Sequence, residues 1–443
     1  MTRDVYGMEL SSSEAAANEA FEVAVHGLAS HRPTAAAALG SALASDPDHV
    51  AALALKGFAN VVMAREELGV VASDVLCEAR RALVARDGGT EDERILVAAL
   101  GEAAGGRFHA AADRLDDGFA DRPATFLPFK ISHALRFMLG DRRGMLAASD
   151  RMMATWSDDT PAAGFLAGCH AFALEEHGCY RAAESIGRTA VALQPDDAWG
   201  LHAVGHVYEM RGDTASGIAW LEATRPSWSC CNNFTFHMAW HLALLHLECG
   251  DRDQVLALYD NAVRPEQTDD FRDMANAVSL LWRLERRGVD VGRRWRDLAA
   301  VASRRRTDTT LVFASLHTLV ALAALGDETG VSAMIAALEQ KAEGDGDQAV
   351  VAAEVGLPLA RVIAGLAEEA GGSKLDRIAQ DLPRLGGSHA QRDLFVLALA
   401  EAAVRRGRSA ALARIRSARR RLRADDALIA AIEARGPALA CTA

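Results

Sequence analysis

Residues 164–195 read GFLAGCHAFALEEHGCYRAAESIGRTAVALQP, and this stretch decides the fold. Gly178 stands where a helix would end, because glycine readily adopts the positive φ that a helix C-terminus requires. Small residues such as Ala171 and Ala183 allow two antiparallel helices to approach closely. Pro195 marks the loop after the second helix, since proline does not continue a helix. The stretch therefore predicts a helix hairpin.

Glycines that suit such turns recur along the chain at a nearly constant interval. From the first to the last, their successive spacings are 34, 38, 34, 38, 38 and 38 residues. The segments between them carry apolar residues at helical spacing, and we find no convincing alternating strand. We attribute the four extra residues of the longer intervals to about one added helical turn. The glycines are Gly106, Gly140, Gly178, Gly212, Gly250, Gly288 and Gly326.

The positions of the small residues resemble those of a tetratricopeptide (TPR) unit, whose length is about 34 residues. The clearest repeats are 164–197 and 198–231. We therefore expect an all-α fold, a TPR-like right-handed α-solenoid of helix hairpins. Because such a fold grows by stacking units, we expect a single superhelical domain over residues 1–443.

The formal net charge of −12 argues against a general nucleic-acid binder, which gains affinity by neutralising phosphates. Nine arginines nevertheless lie between residues 404 and 423. We interpret this stretch as a solvated surface helix without nucleic-acid function.

Cysteine usage and the N-terminal sequence predict a cytoplasmic protein. The seven cysteines are odd in number and form no CxxC pair, which is typical of a reducing compartment. The first twenty residues lack the apolar stretch of a secretory signal. No apolar run approaches the length of a membrane span.

Histidines are concentrated in one part of the chain. Five of the fourteen lie between residues 202 and 246. His202, His206 and Glu209 have the spacing i, i+4, i+7, so they share one face of one helix. By resemblance to tetratricopeptide proteins, their register positions line the concave groove.

A second histidine pair lies on the first helix of the next repeat. His237 and His241 are again four residues apart, with Trp240 beside them. Because first helices of neighbouring repeats pack side by side, we expect both pairs and the glutamate to converge on one partly solvated pocket. The candidate catalytic residues are His202, His206, Glu209, His237 and His241.

Three interpretations of this cluster stay open. The four imidazoles of His202, His206, His237 and His241 can bind a divalent metal ion. They can instead act as general acids and bases on a polar ligand, since their pKa values lie near working pH. Finally, they can simply hydrogen-bond within helix interfaces.

Four further residues are candidate ligand-binding positions. Trp240 can form an aromatic wall around an organic ligand. Asp260 can bind a ligand or pair on the surface, and His317 lies in an apolar helix where a core role is more common. Arg392 can reach an anionic ligand as a bidentate donor. Ser388 is the expected N-cap of the helix that carries Arg392.

Several motifs together resemble the tetratricopeptide repeat protein 38 family. They follow the order of that family over nearly the whole chain, with departures at Met238, where a polar residue such as Asn is expected, and at Asn276, where Asp is expected. The resemblance implies a TPR-like helical fold and specifies no activity. The motifs are HAVGHVYEMRG at 202–212, GIAWL at 217–221, HMAWHLAL at 237–244, SLLWRL at 279–284 and GGSHAQRD at 386–393.

Two functions follow from the groove. In the first, the His/Glu cluster binds a small polar or anionic ligand, with acid–base or metal-assisted chemistry on it. In the second, the groove is a non-enzymatic scaffold that binds a protein peptide. Peptide grooves favour Asn, Lys and Arg, whereas these positions carry His and Glu, which favours the small ligand. The expected partners are thus a small molecule or a peptide and a second copy of the chain, with no nucleic acid and no membrane.

The arginine stretch provides a direct test. We expect the protein not to bind DNA or RNA tightly, because its surface is acidic overall. A filter-binding titration at low and high salt checks this. Tight, salt-sensitive binding that is abolished by Arg419→Glu with Arg420→Glu would contradict the interpretation.

Overall fold

The computed structural model describes residues 2–122, 124–366, 372–420 and 427–434. The chain forms two compact units. The N-terminal unit comprises Met1–Val207 and Thr224–Phe234, and the C-terminal unit comprises Tyr208–Ala223 and Thr235–Ala443.

The first half of the chain is a series of antiparallel helices. A short hairpin of β1 (Thr2–Arg3) and β2 (Glu9–Leu10) precedes them and is antiparallel. The helices are α1 Ala15–Ala29, α2 Thr34–Ser45, α3 Val50–Val62, α4 Glu66–Ala85, α5 Glu91–Ala104, α6 Phe108–Gly118, α7 Phe126–Leu139, α8 Arg142–Met153, α9 Ala163–Glu176, α10 Tyr180–Leu193 and α11 Ala198–Arg211.

The second half continues the same pattern. Two π-helical turns, Tyr259–Val263 and Ala352–Gly356, and one 3₁₀ turn, Leu382–Leu385, interrupt it. The helices are α12 Thr214–Ala223, α13 Arg225–Trp228, α14 Phe234–Glu248, α15 Arg252–Leu258, α16 Phe271–Arg286, α17 Arg294–Arg304, α18 Val312–Ala324, α19 Glu328–Ala342, α20 Asp347–Val351, α21 Leu357–Ile363, α22 Gly372–Asp381, α23 His389–Arg405, α24 Ser409–Arg420 and α25 Ala427–Ala434.

The predicted turn glycines lie between the two helices of consecutive hairpins. All seven, from Gly106 to Gly326, have φ between +65° and +79°. In the left-handed region a Cβ would crowd the following carbonyl, so glycine is the residue that ends the first helix at least cost. The glycine spacing thus correctly located seven successive helix reversals.

Added helical turns do not explain every longer interval. Two connections between hairpins are long, 154–162 and 224–233, and the second contains the short helix α13. The connection 264–270 is no longer than the one between α6 and α7 in a 34-residue interval, whereas α16 has 16 residues and α7 has 14. In the last interval the residues 289–293 separate Gly288 from α17. Loops can lengthen in this way because they leave the packed faces of the helices unchanged.

Within each unit, helices one hairpin apart lie against each other. In the N-terminal unit α3 packs on α5, and in the C-terminal unit α16 packs on α18. This arrangement confirms the predicted all-α, TPR-like α-solenoid of helix hairpins. That residues 1–443 form one superhelical domain stays a prediction.

The arginine stretch is not one helix. α23 ends at Arg405, Gly407 adopts φ +61°, and α24 starts at Ser409. Arg419 is buried and pairs with Asp393, which corrects its assignment to a solvated face. The exposed Arg414 and Arg416 pair with Asp376 and Glu433. Arg421 and Arg423 lie outside the described residues.

Ser388 is an N-cap as predicted. Its hydroxyl accepts a hydrogen bond from the Gln391 backbone N–H, and the Gln391 side chain accepts one from the Ser388 backbone. Among the described residues, no helix is both long and apolar enough to cross a membrane.

The turn glycines give a prediction about stability. Gly178→Ala should destabilise the N-terminal unit by about 1–2 kcal/mol, because alanine is strained at the φ of +77° that Gly178 adopts. The added Cβ meets no atom within 4 Å, so the effect comes from the backbone strain alone. The matched control is Gly40→Ala inside α2, where a Cβ also meets nothing within 4 Å. It should stabilise by about 0.4–1 kcal/mol, since helical alanine loses less entropy on folding. Thermal unfolding followed by circular dichroism measures both, and equal shifts would contradict the argument.

Candidate functional site

In the N-terminal unit, α11 carries the first histidine pair. The imidazoles of His202 and His206 lie edge to face, with ring centroids 4.3 Å apart. The edge-on ring of Phe172, from α9, lies against His206 at 5.5 Å. His206 Nδ1 lies 3.6 Å from Glu175 Oε2. This unit thus places Glu175, which was not among the predicted site residues, next to a predicted histidine.

In the C-terminal unit, four polar side chains lie in a row, each within hydrogen-bonding distance of the next. Glu209 Oε2 lies 2.7 Å from His241 Nδ1. His241 Nε2 lies 3.1 Å from His237 Nε2. At the far end, His237 Nδ1 lies 3.0 Å from Asn276 Oδ1. We call this set the Glu–His–His–Asn chain; α11 supplies the glutamate, α14 the histidines and α16 the asparagine.

Both imidazoles of the Glu–His–His–Asn chain are neutral near pH 7. Burial lowers the pKa of His241 to about 3. Burial, and then the neighbouring imidazole of His241, lower the pKa of His237 to about 3. Desolvation has this effect because it disfavours the charged form of a histidine.

The orientation of the end groups determines where the lone pairs lie. A neutral imidazole has one N–H and one lone pair. When Glu209 and the Asn276 oxygen each accept a hydrogen bond from the nearer Nδ1, both histidines carry their lone pair on Nε2. Two lone pairs then face each other at 3.1 Å. In this arrangement the two Nε2 atoms offer their lone pairs to a shared cation.

A second arrangement needs no cation. Turning the Asn276 amide over lets its NH₂ group donate to His237 Nδ1. His237 Nε2 then donates to His241 Nε2, and His241 Nδ1 donates to Glu209. The same four side chains therefore accommodate either a closed hydrogen-bonded chain or a cation, and the amide of Asn276 distinguishes the two.

Burial corrects one expectation from the sequence. The five predicted catalytic residues were expected in a partly solvated pocket, yet each is at most 8% exposed. Trp240 is fully buried and stacks on His237 with centroids 5.2 Å apart. It packs against the imidazoles, and its role as an aromatic wall for a ligand stays a prediction. That all five residues share one pocket also stays a prediction.

The remaining predicted ligand residues have structural contacts. His317 is 1% exposed, and its Nδ1 donates to the Phe313 carbonyl oxygen at 2.8 Å. Arg392 donates to the carbonyl oxygens of Gly386, at 3.3 Å, and of Gly387, and so closes the loop before α23.

Asp260 forms a surface ion pair. Both of its carboxylate oxygens accept from Arg294, at 2.8 and 2.5 Å. These contacts explain the conformations of Asp260, His317 and Arg392, and ligand binding by any of them stays a prediction.

Two glutamates were overlooked in the sequence although the repeat indicated one of them. Glu175 precedes Gly178 by three residues, as Glu209 precedes Gly212. The two glutamates therefore have the same position in consecutive repeats. Glu176 follows directly, at the C-terminus of α9.

No family model matches the sequence. The chain is similar to yeast Tom70, with 12% identity, a TM-score of 0.37 and coverage of 96% of this chain and 88% of that chain. It is also similar to a chain of the structure of Naa15/Naa10 bound to HypK-THB, with 14% identity, a TM-score of 0.26 and coverage of 93% and 64%. The class of protein is that of the TPR-like helical repeats, as its own hairpins and turns define it.

The burial of His317 predicts a pH dependence of stability. Burial lowers its pKa to about 4, below the unfolded value of 6.5. Its neutral form therefore stabilises the fold fully above pH 6.5, and this contribution is lost as the pH falls towards 4. The stability difference between wild type and His317→Gln should shrink by about 2 kcal/mol between pH 8 and pH 5.

Urea unfolding at pH 8, 6.5 and 5 measures this difference. From pH 8 to pH 7 the two proteins should change in parallel, which serves as the internal control. A difference that stays constant down to pH 5 would show that His317 titrates normally in the fold.

Proposed function

We propose that this TPR-like repeat protein binds a divalent transition-metal ion through the Nε2 atoms of His237 and His241. Two imidazoles supply two of the four to six positions that such an ion requires. The other positions accept further side chains, water or a small polar or anionic ligand. The ion is thus the means by which a neutral, buried site attracts an anionic group.

The observation that carries the proposal is the pair of Nδ1 contacts. A histidine that ligates a metal through Nε2 donates its other N–H to a carboxylate or carbonyl oxygen, which fixes the ring and raises its basicity. Glu209 is the acceptor next to Nδ1 of His241, and the Asn276 oxygen is the acceptor next to Nδ1 of His237. Nε2 atoms 3.1 Å apart suit two ligands at about 2.0–2.1 Å from a common ion.

General acid–base catalysis by the same histidines is less well supported. An efficient general base has a pKa near the operating pH. The pKa values of His237 and His241 are lowered to about 3 because both rings are buried. Neutral imidazoles of this kind suit metal ligation, which requires the unprotonated form.

Three broader assignments belong to the same proposal. The order of the motifs supports membership of the tetratricopeptide repeat protein 38 family, and cysteine usage supports a cytoplasmic location. A peptide-binding scaffold is the alternative function. The scaffold would be favoured if the metal-free protein bound peptides, and if replacement of His237 and His241 left that binding unchanged.

Metal content tests the proposal. The variant His237→Gln with His241→Gln should lose the bound ion, with Co²⁺ affinity falling by about 100-fold or more, because glutamine lacks the ligating nitrogen. Titration of chelator-treated protein with Co²⁺, followed by visible absorption, measures affinity and coordination together. Circular dichroism of the variant checks that it is folded.

Two further variants make the test specific. His246→Gln changes the same residue type on α14, and its ring lies 3.3 Å from Asp251, so it should retain the ion. Asn276→Asp replaces an amide by a stronger acceptor and should tighten Co²⁺ binding by about 10-fold. Unchanged Co²⁺ binding in the double variant would show that the Glu–His–His–Asn chain is a closed hydrogen-bonded network.

A further inference from the structure

We propose that the N-terminal unit contains a separate divalent-cation site formed by Glu175, Glu176 and His206. This site goes beyond the proposed function, because it uses carboxylates and lies on α9 and the first part of α11. One ligand atom from each of the three side chains lies within 4.8 Å of the others.

The distances suit a shared ion better than direct hydrogen bonds. His206 Nδ1 and Glu175 Oε2 are 3.6 Å apart, which exceeds the usual range for an N–H···O bond. Two ligand atoms at about 2.1 Å from one ion, at an angle slightly above tetrahedral, have this separation. The ring of Phe172, one turn earlier on α9, lies edge-on to His206 at 5.5 Å and limits its rotation.

Charge and burial point in the same direction. Glu175 and His206 are fully buried and Glu176 is 1% exposed. Two adjacent carboxyl groups offer the oxygen ligands that divalent cations accept. Buried carboxylates are stabilised by pairing with cations or by coordinating metal ions.

The position of the carboxylates at the end of α9 strengthens the argument. Glu175 and Glu176 are the last two residues of this helix. The C-terminus of a helix has a partial negative charge, so it stabilises cations and disfavours carboxylates. Gly178, with φ +77°, lies two residues beyond the end of the helix. Arg142 donates to the backbone carbonyl oxygen of Glu176 at 3.0 Å, and a cation beside the two carboxylates would also oppose their mutual repulsion.

The ligand set indicates which cations bind. Two carboxylates and one imidazole form a mixed oxygen and nitrogen set, which suits Mn²⁺, Fe²⁺ and Zn²⁺. The histidine pair of the C-terminal unit offers nitrogen and so favours softer ions such as Zn²⁺ and Cu²⁺. Mn²⁺ is therefore the probe that separates the two sites.

The test is a titration of chelator-treated, full-length protein with Mn²⁺ alone, in which electron paramagnetic resonance measures free Mn²⁺. Wild type should bind one Mn²⁺ that the variant Glu175→Gln with Glu176→Gln binds about 100-fold more weakly or not at all. Glutamine conserves the size of each side chain but removes its charge. Glu184→Gln, on the partner helix α10, is the matched control and should bind Mn²⁺ as wild type does.

Two comparisons separate this site from the proposed function. His237→Gln with His241→Gln should lose the Co²⁺ that the histidine pair binds but retain this Mn²⁺. If both double variants lose the same ion, the chain binds one ion instead of two and the inference fails, while the proposed function stands. If the variant Glu175→Gln with Glu176→Gln binds Mn²⁺ as tightly as wild type does, the inference is overturned.

A third variant keeps the inference testable if the double glutamine variant does not fold. If the double glutamine variant is unfolded by circular dichroism, His206→Gln replaces it in the titration. It removes one ligand of three without changing the charge of the carboxylates, and it should weaken Mn²⁺ binding by about 10-fold or more. Wild-type affinity in that variant overturns the inference.

Discussion

The left-handed turn between the two helices of a hairpin is the constraint on which the rest of this structure depends. Glycine adopts positive φ without the steric cost that a Cβ imposes. At such a residue the chain reverses, and the next helix packs back on the one before it, as α10 does on α9. Each reversal returns the chain for another first helix, and the polar side chains of interest lie on these first helices.

The second physical theme is the cost of burying polar groups. Placing histidines and glutamates in a helical core is favourable only when their donors and acceptors are satisfied. In the C-terminal unit, one orientation of the Asn276 amide closes the Glu–His–His–Asn chain with hydrogen bonds, and the other leaves two lone pairs for a cation. In the N-terminal unit, the proposed cation would bind the buried carboxylates of Glu175 and Glu176. Under both proposals a divalent ion satisfies buried ligand atoms and fixes their geometry.

The candidate site could be only partly predicted from the sequence, and the reason is geometric. His237 and His241 were identifiable because i, i+4 spacing alone places two side chains on one helix face. The contact of Glu209 with His241 could not be read in this way, since it joins α11 to α14 over 32 residues. Asn276 was noticed only as a departure from a family motif, and its contact with His237 spans 39 residues. Burial was misjudged for the same reason, because exposure depends on what the other helices cover.

The sequence by itself determined the hairpins, because their signals are local: glycine at the turn, serine at an N-cap and apolar spacing of about 3.6 residues. It also determined which residues share a helix face. Only the tertiary structure decided where the longer repeats place their extra residues, in connections, in a hairpin turn or in a longer helix, since the length of a helix depends on the surface it packs against. Tertiary packing also decided which groups meet across helices, and therefore the neutral state of His237 and His241. Protonation follows from desolvation and from neighbouring charges, and neither quantity exists until the helices are packed.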